Sequence, residues 1–195
     1  MSFSMSHTVT LEHPLDVVFP VLSDPNQMER LQQLLPEAQH FTFLPPDHVE
    51  MPTGGLAGFV EPTYPTSAKG LPRPREMKAC EVTDGNALTQ RVNFEFNGET
   101  ALLCGLIHRP LSVAGAQIVD ADARIVLYES GVAAQGIKEL KLRTFEEVDL
   151  ADGLKGTRVR ETVWGTCPVV LSYLLKIIAP GVLKHHMEMY YKLFE

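Results

Sequence analysis

Two patterns in this chain restrict its fold more than any others: a succession of short predicted strands, and one long helical stretch after them. The predicted strands cover residues 76–83, 87–96, 100–109, 123–129, 137–148 and 157–167. Turn dipeptides such as Asp84-Gly85 and Asn97-Gly98 separate several of them. Short consecutive strands joined by tight turns favour an antiparallel meander, in which neighbours in sequence are neighbours in the sheet.

The end of the chain, residues 169–195, predicts the longest helix. Its second half is amphipathic, since apolar residues recur at helical spacing while Lys184 and Glu188 share the opposite side. The first half is apolar almost all round, so we expect it to be buried or to cap an apolar surface. Pro180-Gly181 should kink this helix or split it in two.

The start of the chain predicts a short strand over residues 6–13 and then two short helices. Pro14 suits the first position of the first helix, although Pro20 should disturb its interior. Asp24 can cap the second helix, Pro25 occupies its first turn, and Pro36 ends it.

Residues 45–76 contain seven of the chain's 14 prolines, which excludes a regular helix or a central strand over most of this length. Long irregular segments inside a compact domain are uncommon and are often functional. We therefore weigh a lid or rim at a ligand cavity against an insertion without function. With few alternating apolar residues for docking, the segment should be the most mobile region and should line the cavity mouth.

Size and charge exclude several classes of protein. A chain of 195 residues suits a single domain over residues 1–195. The net charge of −7 disfavours nucleic acid and anionic membranes as partners. The longest apolar run, residues 169–175, is far shorter than the roughly 20 residues of a membrane span, so no stable membrane insertion is expected. No secretory signal is visible, and we expect a cytoplasmic protein with reduced cysteines.

Two stretches, HTVTLEHPLDVVFPVLSDPNQMERL near the start and VVLSYLLKIIAPGVLKHHMEMYYKLFE at the end, resemble the START and birch-pollen-allergen superfamily, also called SRPBCC. The resemblance implies an α+β helix-grip fold: a curved antiparallel sheet of about six or seven strands around a long C-terminal helix, with two short helices after the first strand. It also implies a cavity for a hydrophobic small molecule. Pro20 and the length of residues 45–76 depart from the pattern of the superfamily, and the ligands of a Rieske cluster are absent from the sequence.

Polar residues on otherwise apolar faces are the candidates for chemistry, because burying them is costly unless something pairs with them. His186 lies within the apolar arc of the last helix, either as a core histidine or as an acid–base group facing the cavity. Glu161 shares a strand face with Val159 and Val163. It either pairs with an arginine or reaches solvent, or desolvation raises its pKa as suits a general acid or base. His108, at a strand end, is a weaker candidate for ligand contact.

Aromatic and sulfur side chains on the predicted inward faces would contact the ligand. These are Phe94, Phe96, Tyr128, Met189 and Tyr190. The sequence has no phosphate-binding loop, no nucleophile elbow and no metal-ligand spacing, so we expect neither a cofactor nor a metal.

Two functions remain open from the sequence. The first is a cofactor-independent enzyme of the cyclase or dehydratase type, acting on a hydrophobic polyketide-like or terpenoid-like molecule, with His186 and Glu161 as catalytic groups. The second is a non-catalytic carrier of a lipid, sterol or quinone, in which the same residues orient the head group of the ligand.

Overall fold

The fold is known from a computed structural model that describes residues 1–33, 38–60, 68–81, 88–102, 107–151 and 153–195. Within these residues, eight strands form one antiparallel sheet in the order β1-β8-β7-β6-β5-β4-β2, with β3 beside β4. The strands are β1 Ser2–Leu11, β2 Ala38–Phe43, β3 Asp47–Glu50, β4 Leu88–Leu102, β5 Ile107–Asp120, β6 Ile125–Val132, β7 Ile137–Asp149 and β8 Lys155–Thr166. The predicted antiparallel sheet is confirmed.

Three helices accompany the sheet: α1 Leu15–Ser23, α2 Pro25–Gln33 and α3 Val169–Glu188. In α1, Leu15, Val18 and Leu22 recur at helical spacing and are buried. Asp24 precedes α2, and its side-chain oxygen accepts a hydrogen bond of 2.9 Å from the backbone N–H of Asn26, as expected of a cap. Both short helices therefore lie where the sequence predicts them.

The helix α3 is not split at Pro180, contrary to the prediction. A proline removes one backbone hydrogen bond from a helix and frees the carbonyl one turn earlier. Pro180 and Lys176 both lie on the exposed side of α3, so water can satisfy that carbonyl. The helix ends at Glu188 instead, where a short 3₁₀ turn over Tyr190–Leu193 follows.

The helices cover one face of the sheet, which we call the inner face. Leu183 and Met187 of α3 pack with Val159 and Val163 of β8 in one hydrophobic core. Leu22 of α1 belongs to the same core. The second half of α3 therefore lies against the sheet, as expected for the helix-grip architecture.

The first half of α3 is exposed, although its sequence predicts a buried helix. Val170 is 84% exposed and Ile177 is 80% exposed, and Tyr173 also faces solvent. In this half Ser172 is the buried residue, and its hydroxyl donates to the carbonyl of Val169 at 2.7 Å. An apolar helix surface thus need not be an inward one.

Truncating α3 on its two sides should separate these environments. We expect Met187→Ala to lower the free energy of unfolding by about 2–5 kcal/mol, since Met187 is fully buried. Ile177→Ala should change the same quantity by no more than about 0.5 kcal/mol, because the side chain is mostly in water. Urea denaturation measures both. Equal losses would mean that the exposed side of α3 is covered in solution.

Residues 45–77 lie on the opposite face, the outer face, and we call them the covering segment. Leu56 and Leu71 are buried there in a second core with Leu140, Leu142 and other residues of the sheet. The location predicted for residues 45–76 is therefore wrong for the described part, 45–60 and 68–76, because the cavity was expected on the helix side. The prediction overlooked Leu56 and Leu71 as anchors, since they do not alternate as strand residues do.

Buried polar contacts fasten the covering segment. Arg91 of β4 pairs with Asp47 and donates to the carbonyls of Pro74 at 2.6 Å and Met77 at 2.7 Å. The backbone N–H of Arg75 donates to Glu129 at 2.8 Å. Paired charges of this kind hold the chain in place where regular secondary structure is lacking.

The predicted strands differ from the observed ones in the middle of the chain. β4 continues through Asn97-Gly98, where Gly98 pairs with Leu111, so the turn predicted there is wrong. β5 continues through Pro110, because its pairing with β6 begins only at Ala114 and the missing N–H of Pro110 costs little on an unpaired side. The hairpin connection at 103–106 lies outside the described residues.

Three further strand predictions need correction. β2 and β3 were not predicted, because residues 38–43 and 47–50 adjoin the proline-rich stretch. Residues 76–81 form no strand, only a single bridge between Ala79 and Val49, and residues 82–87 lie outside the description. The strands predicted at 123–129, 137–148 and 157–167 are confirmed. Among the described helices, none is long and apolar enough to cross a membrane.

Candidate functional site

A group of polar side chains occupies the middle of the inner face, where an apolar cavity wall was expected. We call it the inner polar cluster, and it consists of Tyr128, Lys141, Arg143, Glu161, His186 and Tyr190. The register of the sheet explains the grouping. Arg143 lies directly opposite Glu161, and Lys141 lies opposite Tyr128, so all four side chains project from the same face. The end of α3 and the 3₁₀ turn add His186 and Tyr190.

One carboxylate oxygen organises this cluster. Glu161 Oε1 accepts from Arg143 Nε at 2.6 Å and from the Tyr190 hydroxyl at 2.5 Å, and Lys141 Nζ lies 3.6 Å away. Arg143 Nη2 donates to the Tyr190 hydroxyl at 2.7 Å, and Arg143 Nη1 donates to the carbonyl of Leu22. The guanidinium thereby connects β7 to β8, α1 and the C-terminal turn.

These contacts decide the protonation of Glu161. Burial by itself would raise the pKa of this carboxyl, but the charges of Lys141 and Arg143 outweigh burial and lower the pKa to about 2. The expectation that desolvation raises this pKa is wrong, and the arginine-paired alternative holds. Glu161 is thus an ionised structural partner at neutral pH and no proton donor.

The two other titratable groups have lowered pKa values for a different reason. Burial of His186 and the nearby charge of Lys141 lower the pKa of its imidazole to about 4, so it is neutral at pH 7. Burial also lowers the pKa of Lys141 despite the attraction of Glu161, and the charge of Arg143 lowers it further. The expectation that His186 exchanges protons near neutral pH is therefore wrong, and Lys141 is the group whose pKa moves toward neutrality.

The tyrosines shape the cluster without ionising. Burial raises the pKa of Tyr128 to about 12 and raises that of Tyr190 well above 10. Lys141 Nζ lies 4.5 Å from the centre of the Tyr128 ring, and the Arg143 guanidinium lies 5.0 Å from that of Tyr190. Both cations thus face aromatic rings, which stabilise a positive charge in a poorly hydrated place.

A cavity of about 30 Å³ adjoins the cluster. Its polar lining consists of Gln27, Lys141, Arg143 and His186. A volume of about 30 Å³ corresponds to one water molecule, whereas ligand pockets usually measure about 300–1,000 Å³. Among the described residues, the large apolar space expected beside this helix is therefore reduced to a small polar chamber.

Buried polar atoms without a partner surround that chamber. Within the described part of the chain, His186 Nε2, Gln27 Oε1 and Glu161 Oε2 have no hydrogen-bond partner. Native proteins pair nearly all their buried polar atoms, so a group of unpaired atoms around one space indicates that something polar binds there. α2 supplies one wall, since Gln27, Met28 and Leu31 line the cavity. No group of three or more metal-ligating side chains is found among the residues that the structure describes.

The structure brings together four of the predicted site residues, Tyr128, Glu161, His186 and Tyr190, and leaves the others elsewhere. Phe94 packs on Gly115 and stacks on Phe41 with ring centroids 5.5 Å apart. Phe96 pairs with Phe41 across the strands β2 and β4, at a distance of three strands from β7. Met189 is half-buried against the inner core.

His108 belongs to β5, opposite Ala101, and its side chain lies outside the described residues.

Lys141, Arg143 and Gln27 were missed. The alternation of Leu140 and Leu142 with Lys141 and Arg143 was visible in the sequence, but the charged face of such a strand is normally assigned to solvent. Here the covering segment buries the leucine face, so the cationic face is the inner one.

The sequence matches no protein-family model and no curated protein. Solved structures do match. A norcoclaurine synthase point mutant of Thalictrum flavum, in complex with a transition-state analogue, aligns with a TM-score of 0.53 at 13% identity, over 99% of this chain and 94% of the other. The Zhui aromatase/cyclase of Streptomyces sp. R1128 gives 0.54 at 11% identity, over 100% and 97%. The chain has the helix-grip fold.

A third helix-grip neighbour, a protein of Thermus thermophilus, aligns with a TM-score of 0.52 at 12% identity, over 98% of this chain and 93% of the other. The fold implied by the resemblance in sequence is thereby confirmed. Identities of this size establish architecture alone, because one fold carries many activities. What the helix-grip chain does must be argued from its own residues.

Proposed function

We propose that this chain is a cofactor-independent enzyme of the cyclase or dehydratase type, with the inner polar cluster as its catalytic site. The observation that carries the proposal is the meeting of Lys141, Arg143 and the unpaired His186 Nε2 at one small cavity. Buried groups with strongly shifted pKa values are characteristic of active sites. A carrier of an apolar molecule has no need of two buried cations.

The charge of the cluster selects between the two substrate classes that the sequence left open. Lys141 and Arg143 outnumber Glu161, so the site favours a developing negative charge and disfavours a carbocation. Terpenoid cyclisation proceeds through cations, whereas polyketide chains react through enolates next to their carbonyl groups. The proposed substrate is therefore a polyketide-like carbonyl compound.

Each residue then has a defined role. The amine of Lys141, with its lowered pKa, removes a proton from the carbon beside the carbonyl. The enolate oxygen receives hydrogen bonds from Arg143, and the neutral His186 orients the substrate through Nε2. The enolate carbon attacks a second carbonyl of the same molecule, and the alkoxide takes a proton back from the Lys141 ammonium. A second proton removal expels hydroxide, which leaves as water.

Substrate access requires a movement. The cavity of about 30 Å³ cannot hold a carbonyl compound of polyketide size, and α2 forms one wall of it. α2 is nine residues long and packs mainly through Met28 and Leu31 at this site. Its outward displacement would connect the cluster to the rest of the inner face. Lids of this kind close around many substrates.

The proposal predicts a measurable proton transfer on a simple probe. In D₂O, the protein should accelerate deuterium exchange of the methyl group of 2-acetylnaphthalene beyond the rate with free lysine at equal concentration. Lys141→Met should lower this acceleration by about two or more orders of magnitude, the usual contribution of general acid–base catalysis. Proton NMR measures the exchange.

Lys176→Met is the matched control, because Lys176 is exposed on α3 and its variant should retain full exchange activity. Thermal unfolding of both variants checks that folding is intact. Tight binding of the ketone with no exchange above the lysine background would contradict the enzyme and favour the carrier of lipid, sterol or quinone.

A further inference from the structure

A second cavity lies on the outer face, away from the inner polar cluster. We call it the outer pocket; it measures about 290 Å³, and its lining includes Ser2, Ser4, Ala68, Arg73, Lys138 and Trp164. Trp164 and Glu161 are three positions apart on β8, so they project from opposite faces of the sheet. The covering segment provides Ala68 and Arg73, and β1 and β7 provide the other wall.

Trp164 gives the outer pocket a polar atom in need of a partner. The residue is only 7% exposed, and its indole Nε1 has no hydrogen-bond partner among the described residues. An indole N–H can only donate, so it requires an acceptor. The nearest wall groups do not all qualify, since the guanidinium of Arg73 and the ammonium of Lys138 are also donors. Native structures rarely leave such a buried donor unpaired.

The ionisable groups of the outer pocket are cations, although the chain as a whole carries a net charge of −7. Lys138 is exposed at the rim. Arg73 is 37% exposed in its side chain and lies 3.4 Å from Glu129. Glu129 also accepts from the backbone of Arg75, so its charge is shared between two donors. The hydroxyls of Ser2 and Ser4 add groups that can donate to an anion.

The outer pocket also has apolar surface and a definite size. The indole of Trp164 and the methyl group of Ala68 line it. Its 290 Å³ equals the volume of about ten water molecules at about 30 Å³ each. A ligand that fills it has an apolar body of several carbon atoms and one acceptor group.

We propose that the outer pocket is a binding site for a small amphipathic carboxylate, whose carboxylate accepts from the indole N–H of Trp164 and lies between Lys138 and Arg73. The apolar part of the ligand packs on the indole ring and on Ala68. This site is independent of the proposed catalysis, because it lies on the other face of the sheet and shares no residue with the inner polar cluster.

The single tryptophan of the chain makes the test direct. In ¹H–¹⁵N NMR spectra, the one indole signal reports on Trp164 Nε1. Octanoate should move this signal downfield in a saturable way, because a carboxylate acceptor strengthens the hydrogen bond. Octanol, of the same length and without charge, should bind at least about tenfold more weakly. Inorganic phosphate should leave the signal unchanged at the same concentration.

Substitutions locate the binding, with calorimetry as the readout. Trp164→Phe keeps an aromatic ring and removes the N–H, and it should weaken octanoate binding roughly tenfold. Lys138→Gln should weaken it about three- to tenfold. Lys78→Gln removes an exposed lysine of the 68–81 stretch outside the outer pocket and should have no effect.

Four results would overturn the assignment. Equal affinities for octanol and octanoate would make the outer pocket merely apolar. An indole signal that does not respond to octanoate, or that responds equally to phosphate, would exclude the amphipathic carboxylate. Unchanged affinity in both Trp164→Phe and Lys138→Gln would place the anion elsewhere. Loss of octanoate binding in Lys141→Met, with Lys138→Gln unaffected, would move it to the inner polar cluster.

Discussion

Arg143→Met should lower the free energy of unfolding by about 3–5 kcal/mol, which is the usual cost of removing one partner from a buried ion pair. The guanidinium donates to Glu161, to Tyr190 and to the carbonyl of Leu22, and the side chains of Arg143 and Glu161 are almost wholly buried. Removing it leaves a buried carboxylate with Lys141 and the Tyr190 hydroxyl as its remaining partners. Urea denaturation at pH 7 measures the loss.

Arg158→Met is the matched control. Arg158 lies on the same strand as Glu161 and pairs with Glu146 at 3.0 Å, but both side chains are exposed. Such surface pairs contribute about 0–1 kcal/mol, so the control should lose little stability. The double variant Arg143→Met, Glu161→Leu should regain much of the loss, because an apolar pair of similar size replaces the buried charges. Equal stabilities of the two single variants would contradict the geometry of the cluster.

Acid should destabilise the protein in two stages, and His186 should cause the first. Its pKa is about 4 in the folded chain and about 6.5 in the unfolded chain. Between these values the unfolded state binds a proton that the folded state does not, so stability is lost as the pH falls from about 6.5 to about 4. The contribution reaches on the order of 3 kcal/mol. Glu161, with its pKa lowered to about 2, adds a second loss below about pH 4.5.

The neighbouring histidine provides the control for this pH dependence. His186→Gln removes the titrating group and should flatten the stability profile between pH 6.5 and 4. His185→Gln, at an exposed position one residue earlier, should keep the slope of the unmodified protein. The free energy of unfolding, measured at several pH values in urea, distinguishes them. Equal slopes in both variants would show that His186 is hydrated in the folded state.

The sequence by itself determined most of the architecture. The alternation in β6, β7 and β8 and the caps of α1 and α2 are local signals, because strand and helix periodicities depend on nearby residues. It misplaced the middle of the sheet. Asn97-Gly98 permits a turn without requiring one, and Pro110 ends a strand only where its missing N–H would have had a partner. Pairing across the sheet decides both.

The candidate site depended on tertiary structure in a different way. Sequence reasoning selected His186 and Glu161 as unusual polar residues on apolar faces, and both belong to the inner polar cluster. It could not find Lys141 and Arg143, because a strand that alternates leucines with cations indicates two faces without saying which one is inward. The covering segment settles the matter by burying Leu140 and Leu142 on the outer face.

The protonation of the site was likewise decided by packing over long sequence separations. A carboxyl on an apolar strand face has its pKa raised by burial, and that much follows from the sequence. The register of β7 against β8 brings Arg143 opposite Glu161, and the C-terminal turn adds Tyr190, which reverses the direction of the shift. The sequence determined which residues were costly to bury, and only the tertiary structure determined what they pair with, since charge interactions act through space between residues far apart in the chain.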